Sequence, residues 1–174
     1  ALAQQLNDLN VERRQVEGQM KQDALVELEK LNLNQHDLPA ALILFEEHWH
    51  QGVIGIVAGR LKEQFHRPSI VFAADEDGLH LKGSARSIEG IHIRDVIEQV
   101  AEQYPHIVSH FGGHAAAAGL TIAKTHFTEF QQVFTALISS MDEALFQAVL
   151  WTDGVLPTED LQLATVDYLQ NLSP

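Results

Sequence analysis

The sequence predicts an α/β fold: a mixed central sheet flanked by helices, with a long N-terminal linker helix and a short C-terminal α/β extension. Three observations carry this expectation. Short apolar runs alternate with amphipathic helical stretches across residues 40–141. The turn-forming run Asp75-Glu76-Asp77-Gly78 joins two extended stretches. Leucines and other apolar residues at helical spacing fill the first 31 residues.

The elements follow in order. Leu2, Leu6, Leu9, Val16, Met20, Leu25, Leu28 and Leu31 mark one helix over residues 1–31. Asn32 to Pro39 reads as a loop. Ala41-Leu42-Ile43-Leu44-Phe45 has the length of a buried strand, and residues 53–65 follow as a helix. Ser69 to Ala74 is a second buried strand, and Leu79 to Ser87 a third that runs out into a loop. Residues 93–104 form an amphipathic helix closed by Pro105. Ser109-His110-Phe111-Gly112-Gly113-His114 precedes four alanines and Gly119. The spacing predicts a tight turn ahead of a buried small-residue helix, with His114 and bare amides at the helix start. Leu120 to Ala123 is a short strand, and Thr128 to Met141 an amphipathic helix. Phe146 to Trp151 resembles a strand, Asp153-Gly154 a turn, and Thr158 to Leu161 a helix start.

With 174 residues, 45% hydrophobic and 20% charged, the chain can bury a core. The absence of cysteine excludes disulfides and thiolate metal sites. The first ten residues lack a basic region and an apolar core, so no signal peptide is expected, and no apolar run approaches membrane-spanning length. The start without Met and the end at Ser173-Pro174 suggest an excised fragment.

Net charge is −13, which argues against a protein that coats nucleic acid along a basic face. The distribution is uneven. Residues 48–124 carry 7 basic and 8 acidic side chains, whereas residues 125–174 carry 7 acidic side chains and no Lys or Arg. Only the middle of the chain meets a polyanion on favourable terms.

Three loops hold the candidate chemistry: His48-Trp49-His50-Gln51-Gly52, Lys82-Gly83-Ser84-Ala85-Arg86-Ser87 and Gly112-Gly113-His114. Loops on one edge of an α/β sheet are the usual ligand sites. Ser84 and Ser87 offer hydroxyls, Arg86 a fork suited to phosphate, and His50 and His114 switchable donors. Together they make an anion cradle. His48-x-His50 and His110-x-x-x-His114 have ligand-like spacing, but Gly112 and Gly113 break the helix that would align the second pair. The first and third loops lack the carboxylates of a hydrolytic two-metal site beyond Glu46 and Glu47, so no metal ligand is assigned. Neither serine sits in a nucleophile elbow, and the glycine pair lacks the spacing of a dinucleotide fingerprint.

The run from His48 to Leu61, then Gly83-Ser84-Ala85-Arg86-Ser87, then Gly112-Gly113-His114 with its alanines and Gly119 resembles the DHH phosphoesterase superfamily. The three motifs are similar to its associated substrate-binding domain, as found in RecJ-type single-stranded-DNA-specific exonucleases. That resemblance implies 5′ to 3′ hydrolysis of single-stranded DNA with manganese or magnesium, in DNA repair and recombination in the cytoplasm. It implies metals held by an N-terminal Asp-His-His domain that this chain lacks, so the fragment alone is expected to be inactive and to hold no metal of its own. Residues 1–39 would be the linker from that domain, 40–141 the substrate-binding domain, and 142–174 the start of a segment leading to a further nucleic-acid-binding domain. Ser84, Arg86, Ser87, Gly112, Gly113 and His114 would grip DNA phosphate, His50 and His114 would face the cleft, and Trp49 could stack on a base. The resemblance leaves two alternatives: a phosphodiesterase relative acting on short RNA or cyclic dinucleotides, and a non-enzymatic interaction module. No membrane partner is expected.

Overall fold

Leu42–Phe45 (β1), Ser69–Ala74 (β2), His80–Arg86 (β3), Val108–Gly113 (β4) and Ala117–Ala123 (β5) form one sheet in the order β1-β2-β3-β5-β4. The β1–β2 pair is parallel and the others are antiparallel, which makes the sheet mixed. The structure is a computed structural model that describes residues 2–30, 38–149, 152 and 154–172. Among the described residues five α-helices accompany the strands: Leu2–Lys30 (α1), Ile54–Phe65 (α2), Ile93–Gln103 (α3), Phe127–Ser139 (α4) and Leu163–Leu172 (α5). Among the described residues no helix is long and apolar enough to cross a membrane.

The sheet separates two cores, and strand alternation decides which residue enters which. Ile70 and Phe72 of β2 join Leu81 and Ala85 of β3 and Leu120 and Ile122 of β5 on one face. There α3 contributes Ile93, Val96, Ile97 and Val100, and α4 contributes Phe130, Phe134 and Ile138, each set at helical spacing. On the other face, Val71 and Ala73 meet Ile54, Val57, Ala58 and Leu61 of α2. Being buried on both faces, β2 reads in sequence as a continuous apolar run. The β2–β3 hairpin closes on Gly78 at φ +67°, with Asp77 Oδ1 accepting from the amides of Leu79 (2.8 Å) and His80 (3.0 Å).

The second half of α1 belongs to the α2-side core. Met20 is 3% exposed and packs with Trp49, Leu42 and Val53. The first half projects away: Leu2 is 76% and Leu6 67% exposed.

The expected small-residue helix is absent. Gly112 and Gly113 end β4, Ala117 begins β5, and His114 N donates to Ala117 O at 2.8 Å across a tight connection. Gly113 requires its glycine, because φ is +150° and a β-carbon would lie under 3 Å from the Ala117 carbonyl and Ala118. Pairing with β3 and β4 outweighs the helix propensity of the alanines. Ala115 and Ala116 are exposed rather than buried, and Ala118 alone is buried. Beyond α4 the described residues form helical turns. Glu143–Phe146 and Thr158–Asp160 are 3-10 turns, and no strand forms over 147–149. Phe146, expected in a strand, packs instead on the α3–α4 core, with the Arg67 guanidinium 5.1 Å above its ring. Residues 31–37, 150, 151 and 153, on which parts of the expected loop, strand and turn fall, lie outside the described residues.

Candidate functional site

Lys82, Ser84 and Arg86 alternate with buried Leu81, Gly83 and Ala85 along β3, so all three project onto the α2 side of the sheet. Helix α2 packs over β2 and β3 on that face. The part toward β5 and β4 stays open, and the register aligns Ser84, Gly119 and Gly112 in one row and Lys82, Thr121 and His110 in the next. Glycines in this row leave the backbone bare to anything lying across the sheet.

At the border between the covered and open parts lies a cleft of about 490 Å³ lined by Gln51, Gly52, Ile54, Gly55, Lys82, Ser84, Arg86 and the start of α2 beyond them. Helix α2 enters it by its N-terminus, where the helix dipole is positive; Ile56 N donates to Val53 O at 3.0 Å, and among the described residues the amides of Ile54 and Gly55 have no backbone partner. Val53 caps the helix without a side-chain hydrogen bond. Gly55 permits the close approach: a β-carbon there would lie 2.9 Å from Arg86 Nη2 and 3.0 Å from Ser84 Oγ. Arg86 Nη1 donates to Ser84 Oγ at 3.1 Å and to Ala85 O at 2.8 Å. Among the described residues Arg86 has no carboxylate in ion-pair distance. Its charge is therefore left for an incoming anion, and the arrangement can hold a phosphate between fork, hydroxyl and helix terminus.

The first loop lies at the β2–β3 turn end of the sheet, and the Arg86–Ser87 end of the second loop lies with the third loop at the other end. Gln51 Nε2 donates to Ala74 O at 2.9 Å and to Asp75 Oδ1 at 3.3 Å, beside the β2–β3 turn. Arg86, Ser87 and the β4–β5 connection share the far end, where Ser87 N donates to Ala116 O. The Arg86 side chain spans the gap by lying back along the sheet toward Ser84 and α2.

Several expected site residues have other duties. Trp49 is 4% exposed in the α2-side core, so it cannot stack on a base. Its indole N–H lacks a hydrogen-bond partner, though it lies near enough to Asp23 to help hold that carboxyl below its usual range. The larger cause there is His48, whose Nε2 sits 2.9 Å from Asp23 Oδ2. Ser87 is 7% exposed and donates to Ile91 O at 2.7 Å, which makes it a brace of the β3–α3 connection rather than a phosphate ligand. His50 Nδ1 accepts from Gly52 N at 3.0 Å and faces a separate groove beside α1, with Leu9, Arg13 and Val16. Gly112, Gly113 and His114 are exposed at the β4–β5 connection and do not line the 490 Å³ cleft.

Gln51 and Lys82, which the sequence places in candidate loops without a role, and Gly55, to which it assigns none, line the cleft. Lys82 Nζ lies 3.3 Å from Asp75 Oδ2. Asp75 is held below the usual carboxylate range by the Glu76 amide first, then by Gln51 and Lys82. The signal for Gly55 was present in the unusual density of glycines along α2. Asp75 is the one carboxylate tied to cleft residues among those described, and it is engaged by Lys82. A pair of catalytic magnesium or manganese ions needs several oxygen ligands, and this cleft does not supply them.

Comparison with known proteins gives a consistent set of relatives. The sequence profile of the DHHA1 domain matches residues 38–140. The chain is 44% identical over 172 residues to the single-stranded-DNA-specific exonuclease RecJ of Haemophilus influenzae, a match that covers 98% of this chain and 30% of that protein. It is 42% identical to the enzyme of the same name from Escherichia coli, covering 99% of this chain and 30% of that protein. The crystal structure of RecJ from Thermus thermophilus in complex with Mg2+ superposes with a TM-score of 0.76 at 28% identity, covering all of this chain and 25% of that one. The chain thus spans under a third of the length of these relatives.

Proposed function

Since the chain belongs to the DHHA1 domain family, we propose that it is the substrate-binding part of a metal-dependent, 5′ to 3′ single-stranded-DNA exonuclease. The observation that carries this reading is the cationic cleft in which Ser84 and Arg86 meet the uncapped N-terminus of α2. An Arg fork, a hydroxyl and bare amides are what a DNA phosphate requires. Lys82, ion-paired with Asp75 at 3.3 Å, adds a further donor, and Gln51 orders the loop that leads into α2. The open rows from Ser84 through Gly119 to Gly112 and from Lys82 through Thr121 to His110 let a single strand continue across the sheet toward β4. His114 and the Gly112-Gly113 pair border that path at its far end.

In this reading manganese or magnesium is bound by an N-terminal catalytic domain, joined through residues 1–39, where it activates water for attack on the phosphodiester. Residues 40–141 bind substrate, and residues 142–174 lead toward a further nucleic-acid-binding domain. DNA repair and recombination in the cytoplasm is the setting that such a substrate implies.

The test measures binding of the 174-residue chain to a labelled single-stranded oligonucleotide across a salt series. Weak binding is expected, with no nuclease activity in manganese. Arg86→Ala is expected to weaken binding and to lower the slope of log K against log salt by about 0.7, the single-strand value for one phosphate contact. An unchanged slope would remove Arg86 from the phosphate contacts. Nuclease activity in the pure chain would overturn the assignment of the metals to another domain.

A further inference from the structure

Outside the cleft, the structure brings together three ligand-bearing side chains that no sequence pattern announces. His106 lies in the turn between α3 and β4, His126 caps the N-terminus of α4, and Glu129 stands in the first turn of that helix. Their donor atoms all lie within 4.8 Å of one another. His106 Nε2 is 3.1 Å from Glu129 Oε1, and His126 Nδ1 is 3.2 Å from Glu129 Oε2. The two imidazole rings are 5.1 Å apart, centroid to centroid. None of the three lines the Ser84–Arg86 cleft.

We propose that His106, His126 and Glu129 form a binding site for a divalent transition-metal ion, with zinc the best fit. A tetrahedral zinc with ligand bonds of about 2.0–2.2 Å holds neighbouring donor atoms roughly 3.3–3.5 Å apart. The two short separations run to different oxygens of Glu129, and one donor atom from each residue lies within 4.8 Å of the others, so side-chain rotations bring the three onto one ion. Two imidazoles and one carboxylate are the donor set of three-ligand zinc sites that keep a position open for water. The same set suits nickel and copper, whereas magnesium and calcium prefer oxygen, and manganese stands lowest in affinity among the first-row ions.

The site is preorganised by the fold. His126 and Glu129 are three residues apart and share a face of the helix start. That helix is anchored by Phe130, which is fully buried. His106 is held by its neighbour Ile107, which is 1% exposed and donates its amide to Tyr104 O at 3.0 Å. The side chains are 53%, 33% and 42% exposed for His106, His126 and Glu129, so an ion can reach them and water can complete its coordination. Bound there, the ion would staple the turn that leads into edge strand β4 to the start of α4. By binding only the folded chain it would raise folded-state stability.

Without metal the same groups form a carboxylate that accepts from two imidazoles, and the experiment separates the two readings. Metal-free chain is titrated with zinc chloride by calorimetry and by thermal unfolding, with cobalt chloride as a spectroscopic probe. One zinc per chain is expected, with a saturable rise in the unfolding temperature, no matching rise with magnesium chloride, and visible cobalt bands of a low-coordinate site. His126→Ala and Glu129→Gln are each expected to weaken zinc binding by about tenfold or more, while His48→Ala leaves it unchanged. Circular dichroism checks that the variants fold. If His126→Ala does not, Glu129→Gln, which preserves side-chain shape, decides the matter. Absence of saturable zinc binding, or affinity unchanged in Glu129→Gln, overturns the site in favour of the hydrogen-bonded clasp. No DNA enters the experiment, so its outcome is independent of the exonuclease reading.

Discussion

Arg86 and Gly55 show how one contact can tie a fold to a ligand site. The guanidinium lies against the bare face of Gly55, where a β-carbon would come within 2.9 Å of Nη2. Gly55→Ala places its methyl group against the movable end of a side chain, and alanine is favoured over glycine inside a helix by about 1 kcal/mol. The variant is therefore expected to hold or gain stability in denaturant unfolding while losing affinity for single-stranded DNA. Equal losses of both would mean that Gly55 serves packing alone. Trp49 and Ser87 teach the opposite lesson. Both have the chemistry of a binding residue, and both are buried with structural duties. A hydroxyl's role depends on whether its lone pairs face solvent, and sequence does not record that.

At the scale of elements, the β2–β3 hairpin and helix α2 carry the site. The hairpin sets the register that puts Lys82, Ser84 and Arg86 on one face. Asp77 closes its turn, and its carboxyl is pulled down to about 2 by His80 first, then by the amides of Leu79 and His80. A folded-state value below the unfolded one stabilises the fold above the unfolded pKa. That contribution fades as pH falls from about 4 toward 2. Urea unfolding at about pH 5 and about pH 3, on either side of the unfolded value, should show the chain losing stability. Asp77→Asn should lose less of it over the same interval. An equal loss in the variant would exclude this turn as a source of acid sensitivity. The helix terminus expected at Gly112–His114 does not form, whereas the helix expected over residues 53–65 does, with its start at Gly52–Gly55. Both stretches are glycine-rich. Strand pairing captured one of them, and packing on Val71 and Ala73 made the other a helix.

Across the whole molecule, α1 divides in function at about its midpoint. Residues 2–15 are exposed, while Met20 completes the α2-side core and Glu17 reaches Arg60 at 3.6 Å. Removing residues 1–8 is expected to leave the unfolding free energy unchanged within about 0.5 kcal/mol. Met20→Ala should cost about 2–5 kcal/mol. Equal sensitivity of the two variants would mean that the exposed half is structural as well. The exposed leucines Leu2, Leu6 and Leu9 keep the helical spacing that made this segment legible as a helix, although they face solvent in this chain.

The sequence alone determined β1, α2, β2, β3, α3, the second half of β5 and α4, the β2–β3 turn, and Ser84 and Arg86 as candidate anion-binding side chains. Each of these depends on local periodicity, turn chemistry or side-chain type. Tertiary structure decided what depends on partners distant in the chain. It paired the alanines of residues 115–118 into a hairpin end and buried Trp49 under α1. It also opened part of a sheet face beside Arg86 and gathered His106, His126 and Glu129 from segments 20 residues apart. Strand pairing and burial are energies of contact between remote residues, and they outweigh the roughly 1 kcal/mol preferences that local sequence expresses.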